Sequence, residues 1–91
     1  MTLESLAPFV GQNVVVDTAT PLVYIGRLTE ARGDVLLLAD VDVHDRSESQ
    51  TSKEVYVMEA KKLGIKANRR SVIVRSDVVV SISLLDEVIV Y

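Results

Sequence analysis

Valine and isoleucine are unusually abundant in this chain, and they constrain its fold more than any other feature. Seventeen valines and five isoleucines account for 22 of the 91 residues. Side chains branched at Cβ lose rotamer freedom in a helix and pack well on a pleated sheet. The core must also be small and aliphatic, because the chain has one Phe, three Tyr and no Trp. The sequence therefore predicts a mainly β fold, a small barrel of short strands around aliphatic side chains.

The length of the chain leaves room for one domain, which we expect to span residues 1–91. Cysteine is absent, which excludes disulfides, thiolate nucleophiles and thiolate zinc sites. The longest apolar runs, such as residues 35–39 and 78–80, are far shorter than the roughly 18 residues that a membrane-spanning helix needs. We therefore expect a soluble, cytoplasmic protein without a cofactor.

Apolar residues and turn formers predict a short N-terminal helix followed by five strands. Apolar residues recur at helical spacing over residues 3–10, between Thr2 as the N-cap and Gly11 as the stop. Gly26, in the middle of the second strand, predicts a sharp bend there. The strands are expected at residues 14–18, 22–31, 35–43, 71–75 and 78–83. The apolar tail 88–91 is a candidate for a sixth strand that pairs with a sheet edge, in its own subunit or in a neighbour's.

The segment between the third and fourth strands carries conflicting signals. Residues 44–52 contain no large apolar side chain and predict an exposed loop. Thr51 and Glu54 match a capping box, and residues 59–64 resemble a helix that ends at a glycine. The β-branched residues around Tyr56 favour a strand instead. We expect a helix over residues 52–63, with a strand as the alternative.

Charge is segregated along the sequence. The net charge of the whole chain is -3, yet the stretch from Lys61 to Arg75 holds six cations and no acid. A local positive field attracts phosphate groups even on an acidic protein. This stretch is therefore a candidate surface for nucleic acid, and a solvated helix face followed by a turn is the alternative.

Patterns that would indicate an enzyme are weak. Asp40, Asp42 and His44 alternate along one strand, so a divalent ion on one face and a solvated strand end are both compatible with them, and we expect no metal site. The single histidine lies in a polar segment, and no serine or threonine stands in a nucleophile elbow. We therefore expect no catalytic residues and a non-enzymatic protein.

Two segments resemble the paired motifs of the Sm and Sm-like protein family. Residues 6–16 together with residues 24–28 are similar to the first Sm motif, and residues 73–82 are similar to the second. The resemblance implies a five-stranded SH3-like (Sm-like) barrel that assembles into a homo-oligomeric ring by main-chain pairing between neighbours. Members of the family commonly bind single-stranded, uridine-rich RNA on one ring face, so RNA is the partner that the resemblance implies.

The resemblance also assigns candidate RNA-binding residues. Arg75 matches the arginine that lies against the base, and Asp34 matches the aspartate of the turn between the second and third strands. The base-reading asparagine is replaced by Val35 or Leu36, and the glycine after the arginine is Ser76. General attraction for RNA would come from a further set of cations, Lys61, Lys62, Arg69 and Arg70. The alternative is a ring that serves only as a protein-interaction scaffold and binds no RNA.

Overall fold

The computed structural model describes residues 3–48 and 52–90. Five strands and one α-helix make up most of this part of the chain, with short 3-10 helices at Leu3–Phe9, Ser76–Val78 and Leu85–Glu87. In chain order the main elements are β1 (Asn13–Thr18), β2 (Leu22–Arg32), β3 (Val35–Asp45), α1 (Lys53–Leu63), β4 (Arg69–Arg75) and β5 (Val79–Leu84). The mainly β fold, the five strands and the helix before β4 are confirmed.

All five strands form one antiparallel sheet in the order β4-β3-β2-β1-β5. The first and last positions in this order belong to β4 and β5, which are consecutive in sequence. The three residues Ser76–Val78 connect them, so the sheet must curl until its two edges approach each other at that end. Because β4 and β5 are the two edge strands, each has one side without a ladder partner.

The sheet is not closed into a barrel, contrary to the sequence prediction. No ladder joins β4 to β5 within residues 3–48 and 52–90, although the sheet is strongly curled. Closure would need continuous backbone pairing between these two edges. The fold is therefore an open curled sheet with two free edges.

The concave side of the sheet holds the main core. Side chains alternate across each strand, so every second residue of the valine-rich strands enters this core. Leu6 of the N-terminal 3-10 helix covers one end of it. Its buried members are Leu6, Val14, Val16, Leu28, Leu36, Leu38, Val41 and Val74.

A second apolar cluster lies on the other face of β1 and β2. Val15, Val23 and Ile25 point to this face, and α1 covers them with Val57 and Ala60. Leu85, in the 3-10 helix after β5, completes the cluster. The helix is thus fixed by packing against the sheet, which explains why a segment rich in β-branched residues is helical.

The two predicted helix N-caps involve residues outside the described part of the chain. Thr2 and Thr51 both lie there. Ser52 caps α1, because its hydroxyl accepts a hydrogen bond from the Val55 backbone N–H at 3.3 Å. The predicted N-terminal helix is a 3-10 helix that contains Pro8, a residue that cannot donate a backbone hydrogen bond.

Two predictions about exposed or paired segments are wrong. β3 continues to Asp45, and His44 is buried, because α1 folds back over this end of the strand; the exposed loop is therefore shorter than residues 44–52. Residues 88–90 form no strand within this chain, since the chain turns through Leu85–Glu87 onto the outer face and Val88 packs there. Pairing of this tail with a neighbouring subunit stays a prediction. Tyr91, the last residue of the expected sixth strand, lies outside the described residues.

A β-bulge lies at Gly26, where the sequence predicts a sharp bend. The register between β2 and β3 shifts between Ile25 and Arg27, and Asp40 opposite this point has a φ of 52°. A Cβ on Gly26 would lie 3.1 Å from the Ala39 carbonyl oxygen and equally close to Val41. Glycine therefore permits the close approach of the two strands.

No helix within the described residues is long and apolar enough to cross a membrane.

Candidate functional site

Asp34 and Arg75 are brought to the same corner of the sheet. Arg75, the last residue of β4, pairs with Val35, the first residue of β3. The Ser76 backbone N–H then donates a hydrogen bond of 2.8 Å to the Asp34 carbonyl oxygen. The β2–β3 turn and the β4–β5 connection are thus held side by side.

Both side chains at this corner are accessible to a ligand. Asp34 is exposed, and Arg75 is exposed over 73% of its side chain. The Arg75 guanidinium forms an ion pair with Asp77, two residues along the chain. Exposed ion pairs contribute little to stability, so the guanidinium can exchange Asp77 for another anion at small cost.

The surroundings of this corner are slightly acidic. Arg32 pairs with Glu30 at 3.3 Å at the end of β2, and Asp34 and Asp77 outnumber the remaining cation, Arg75. The net formal charge of one corner is therefore negative, and it does not attract RNA by itself. Binding here has to rest on specific contacts of the guanidinium.

Neither candidate for the base-reading position offers an amide. Leu36 is fully buried in the core, and Val35 is half-buried at the start of β3. Aliphatic side chains cannot hydrogen bond to the edge of a base. A ligand at this corner contacts the guanidinium of Arg75 and the carboxylate of Asp34, but Val35 and Leu36 offer it no amide.

The six candidate RNA-binding residues do not form one cluster. Arg69 and Arg70 begin β4 and Arg75 ends it, which separates the two groups by about 20 Å at the usual rise of a strand. Lys61 and Lys62 lie in the last turn of α1, before the Arg69 end of the strand. The continuous cationic stretch of the sequence is thus divided between the two ends of β4.

One of these cations is used within the fold. Lys61 Nζ donates hydrogen bonds to the backbone carbonyl oxygens of Asp86, at 2.7 Å, and of Val88. These bonds hold the segment after β5 against α1. Lys62, Arg69 and Arg70 are exposed and form no ion pair within residues 3–48 and 52–90.

Asp40, Asp42 and His44 are not brought together as a metal site. The bulge turns Asp40 toward Arg27, with which it pairs at 3.1 Å. Asp42 accepts a hydrogen bond from the Asn68 amide at 3.3 Å. His44 stacks on the ring of Tyr56, with centroids 3.8 Å apart, and no cluster of three metal-ligating groups occurs among the described residues.

Tyr56 organises a feature that the sequence analysis did not find. Burial and the hydrogen bond to Asp42 raise the pKa of the Tyr56 hydroxyl well above its usual value. A shallow groove of about 50 Å³ opens beside it, lined also by Glu59, Leu63 and Lys66. The only sequence signal was the helical spacing of Tyr56, Ala60 and Leu63, which places them on one side of α1.

The free edges of the sheet carry exposed apolar side chains. Ile73 on β4 is 67% exposed and Val80 on β5 is 69% exposed. A free edge also presents backbone N–H and C=O groups that no strand satisfies. These two edges are therefore surfaces to which a further strand can be added.

The fold is that of the Sm and Sm-like proteins. An Sm protein of Pyrococcus abyssi, solved in complex with a uridine heptamer, superposes with a TM-score of 0.62 at 18% identity over 92% of this chain and 97% of that one. An SmAP (LSm) protein of Methanococcus vannielii gives 0.58 at 19% identity over 90% and 92%. No protein-family model and no curated protein sequence matches the chain.

The same fold also occurs in a larger protein complex. A chain of the NatC complex, solved with Gag peptide and CoA, superposes with a TM-score of 0.57 at 20% identity over 87% of this chain and 89% of that one. At sequence identities of 18 to 20%, these superpositions show a common fold and nothing more. The residues at the corner and at the edges must therefore be interpreted from their own chemistry.

Proposed function

We propose that this chain is a non-enzymatic Sm-like subunit that assembles edge to edge into a homo-oligomeric ring and binds single-stranded RNA. The observation that carries the proposal is the Ser76–Asp34 backbone hydrogen bond, which places Arg75 beside the β2–β3 turn. The RNA-bound Pyrococcus protein, which has the same fold, supports it.

Assembly is supported by the two free edges. Pairing β4 of one copy with β5 of the next satisfies the free backbone groups of both strands and covers Ile73 and Val80. Repetition of this heterologous contact closes a ring when the rotation between neighbours permits it. Each ring then repeats the Arg75 corner once per subunit, so that several weak contacts act on one RNA strand.

RNA recognition at this corner rests on Arg75. A guanidinium can stack on a base and can bind a phosphate, and the weak ion pair with Asp77 leaves it available. Asp34 lies close enough along the backbone to orient the guanidinium or the ligand. Without an amide at Val35 or Leu36 we expect low selectivity among bases. Lys62 in the last turn of α1, with Arg69 and Arg70 at the start of β4, would add general attraction.

A fluorescence-anisotropy titration with labelled oligouridine tests the RNA proposal. We expect saturable binding at about 50 mM salt that weakens toward about 200 mM, because phosphate contacts release counterions. Arg75→Ala should weaken binding about tenfold, the effect of losing one charge-assisted contact. Lys62→Ala, which removes a cation from the last turn of α1, is the matched control and should weaken binding much less. Equal losses of affinity in the two variants would show that the Arg75 corner is not the binding site.

A protein-interaction scaffold is the second candidate function. The excess of acidic groups around Arg75 favours it, as does the NatC chain with the same fold. The same titration separates the two functions. Absence of binding at about 50 mM salt would leave only the scaffold, because low salt maximises the attraction between cations and phosphates.

A further inference from the structure

The ends of the two free edges carry opposite charges. β4 begins with Arg69 and Arg70, which are both exposed. β5 is followed directly by Asp86 and Glu87, which are exposed as well. None of these four groups takes part in an ion pair within the described part of the chain. Two unpaired cations thus mark one edge, and two unpaired anions mark the other.

The direction of strand pairing decides which charges meet. Every ladder within the sheet is antiparallel. If β4 of one copy pairs with β5 of the next in the same antiparallel way, the start of β4 lies beside the end of β5. The lengths match, since β4 has seven residues and β5 has six. Arg69 and Arg70 then face the segment that follows β5 in the partner subunit.

The opposite ends of the strands are also complementary in this arrangement. Arg75, at the end of β4, would approach the segment before β5, which contains Asp77. Two unpaired cations then meet two unpaired anions at one end, whereas Arg75 and Asp77 at the other end already pair within each chain. Parallel pairing would place Arg69 and Arg70 beside Asp77, so only antiparallel pairing brings them to the two unpaired anions.

We propose that Arg69 and Arg70 form an intersubunit charge clasp with Asp86 and Glu87 of the partner subunit. The clasp rests on the edge-to-edge assembly proposed above. It would determine which partner binds, because it favours a second copy of this chain, and it would fix the antiparallel direction of pairing. Charges at the rim of an interface act mainly on orientation and on the rate of association. They also exclude wrong partners, because like charges at this place repel.

The segment that presents the anions is held in place by the fold. Lys61 Nζ binds the carbonyl oxygens of Asp86 and Val88, and Leu85 is buried in the outer cluster. These contacts hold the backbone on either side of Glu87. The acidic half of the clasp is therefore presented on a fixed part of the chain, and it loses little conformational freedom when the partner binds.

Charge reversal tests the clasp. One variant carries Arg69→Glu and Arg70→Glu, a second carries Asp86→Lys and Glu87→Lys, and a third carries all four substitutions. Light scattering and sedimentation velocity give the size of each, and circular dichroism confirms that each is folded. We expect each double variant to assemble at least tenfold more weakly than the wild type. The quadruple variant should assemble again, because its reversed charges are complementary.

Three further measurements make the test decisive. Glu4→Lys, a charge reversal at an exposed residue outside both edges, should assemble like the wild type. The quadruple variant should not mix with the wild type, since the contacts between them would be repulsive. Assembly of the wild type should weaken when salt is raised from about 50 to about 500 mM, where screening shortens the reach of charges to a few ångströms.

The outcomes distinguish the clasp from the assembly itself. If the wild type is a monomer at every concentration, the edge-to-edge proposal and the clasp are both wrong. If the wild type assembles and the double variants assemble equally well, the clasp alone is wrong. A double variant that fails without recovery in the quadruple variant also contradicts the clasp, because the loss would then come from something other than pairing of these charges.

Discussion

Lys53 at the start of α1 forms an ion pair with Asp17 of β1, with Nζ and Oδ1 3.0 Å apart. The Ser81 hydroxyl of β5 donates to the other carboxylate oxygen at 3.3 Å. Asp17 therefore joins α1 to two strands of the sheet. Both partners of the ion pair are largely shielded from solvent, with side chains 30% and 21% exposed.

Replacing Asp17 should measure how much its contacts with Lys53 and Ser81 contribute to the free energy of unfolding. Asp17→Asn removes the charge and keeps the shape, and we expect it to lower the free energy of unfolding by about 1 kcal/mol. Urea denaturation checks the value. Glu54→Gln is the control, because Glu54 also lies near Lys53, at 3.6 Å, but is 78% exposed. An equal loss in both variants would contradict a specific role for Asp17.

Stability should fall in alkaline solution for two reasons with the same sign. The hydrogen bond that Lys53 donates to Asp17 raises the pKa of Lys53 above 10.5, so the stabilisation by this ion pair is complete below the unfolded value and is lost as pH rises through the folded one. Burial raises the pKa of Tyr56 above 10.0, so the folded state keeps this proton longer and stability falls above that value.

Denaturation at several pH values checks the alkaline effect. The free energy of unfolding should decrease as pH rises above about 10, between the unfolded and the folded pKa values of the two groups. Tyr56→Phe has no hydroxyl to ionise, so its decrease should be smaller than that of the wild type. The same decrease in both proteins would show that Tyr56 does not contribute.

The stack of His44 on Tyr56 provides a test of an unpaired polar atom. His44 Nε2 is buried and has no hydrogen-bond partner among the described residues. His44→Phe keeps an aromatic ring on Tyr56 and removes this atom, so we expect a change in stability within about 1 kcal/mol. His44→Ala leaves a cavity and should cost about 2 to 4 kcal/mol. Equal losses would mean that Nε2 is hydrogen bonded in the folded protein.

The bulge at Gly26 should not tolerate a side chain. The contacts of 3.1 Å that a Cβ would make involve the backbone of β3, which cannot move without disturbing the ladder. We expect Gly26→Ala to destabilise the protein by about 1 to 3 kcal/mol in thermal or urea denaturation. Ser83→Ala, at an exposed strand position, should change stability by less than about 0.5 kcal/mol.

The strands could be predicted because local chemistry decides them, whereas several side-chain contacts could not. The β-branched residues of β1 and β5 predict a strand at each place whichever strand it pairs with, and the motif resemblance singled out Asp34 and Arg75. The burial of His44 depends on α1 folding back over β3, and a polar stretch of sequence gives no sign of that. The Lys61–Arg75 cations looked continuous because sequence order does not show that β4 separates its ends by its own length.

Lys61 offers the last test, because it links α1 to the segment after β5. Lys61→Met keeps most of the aliphatic stem and removes the hydrogen bonds to the carbonyl oxygens of Asp86 and Val88. We expect a loss of about 1 to 2 kcal/mol and faster hydrogen exchange at Val88, whose N–H bonds the Leu85 carbonyl. Lys62→Met, the exposed neighbour, should change neither. Since this segment presents Asp86 and Glu87, Lys61→Met should also weaken assembly, and unchanged assembly with faster exchange would show that the acidic half of the clasp does not depend on this support.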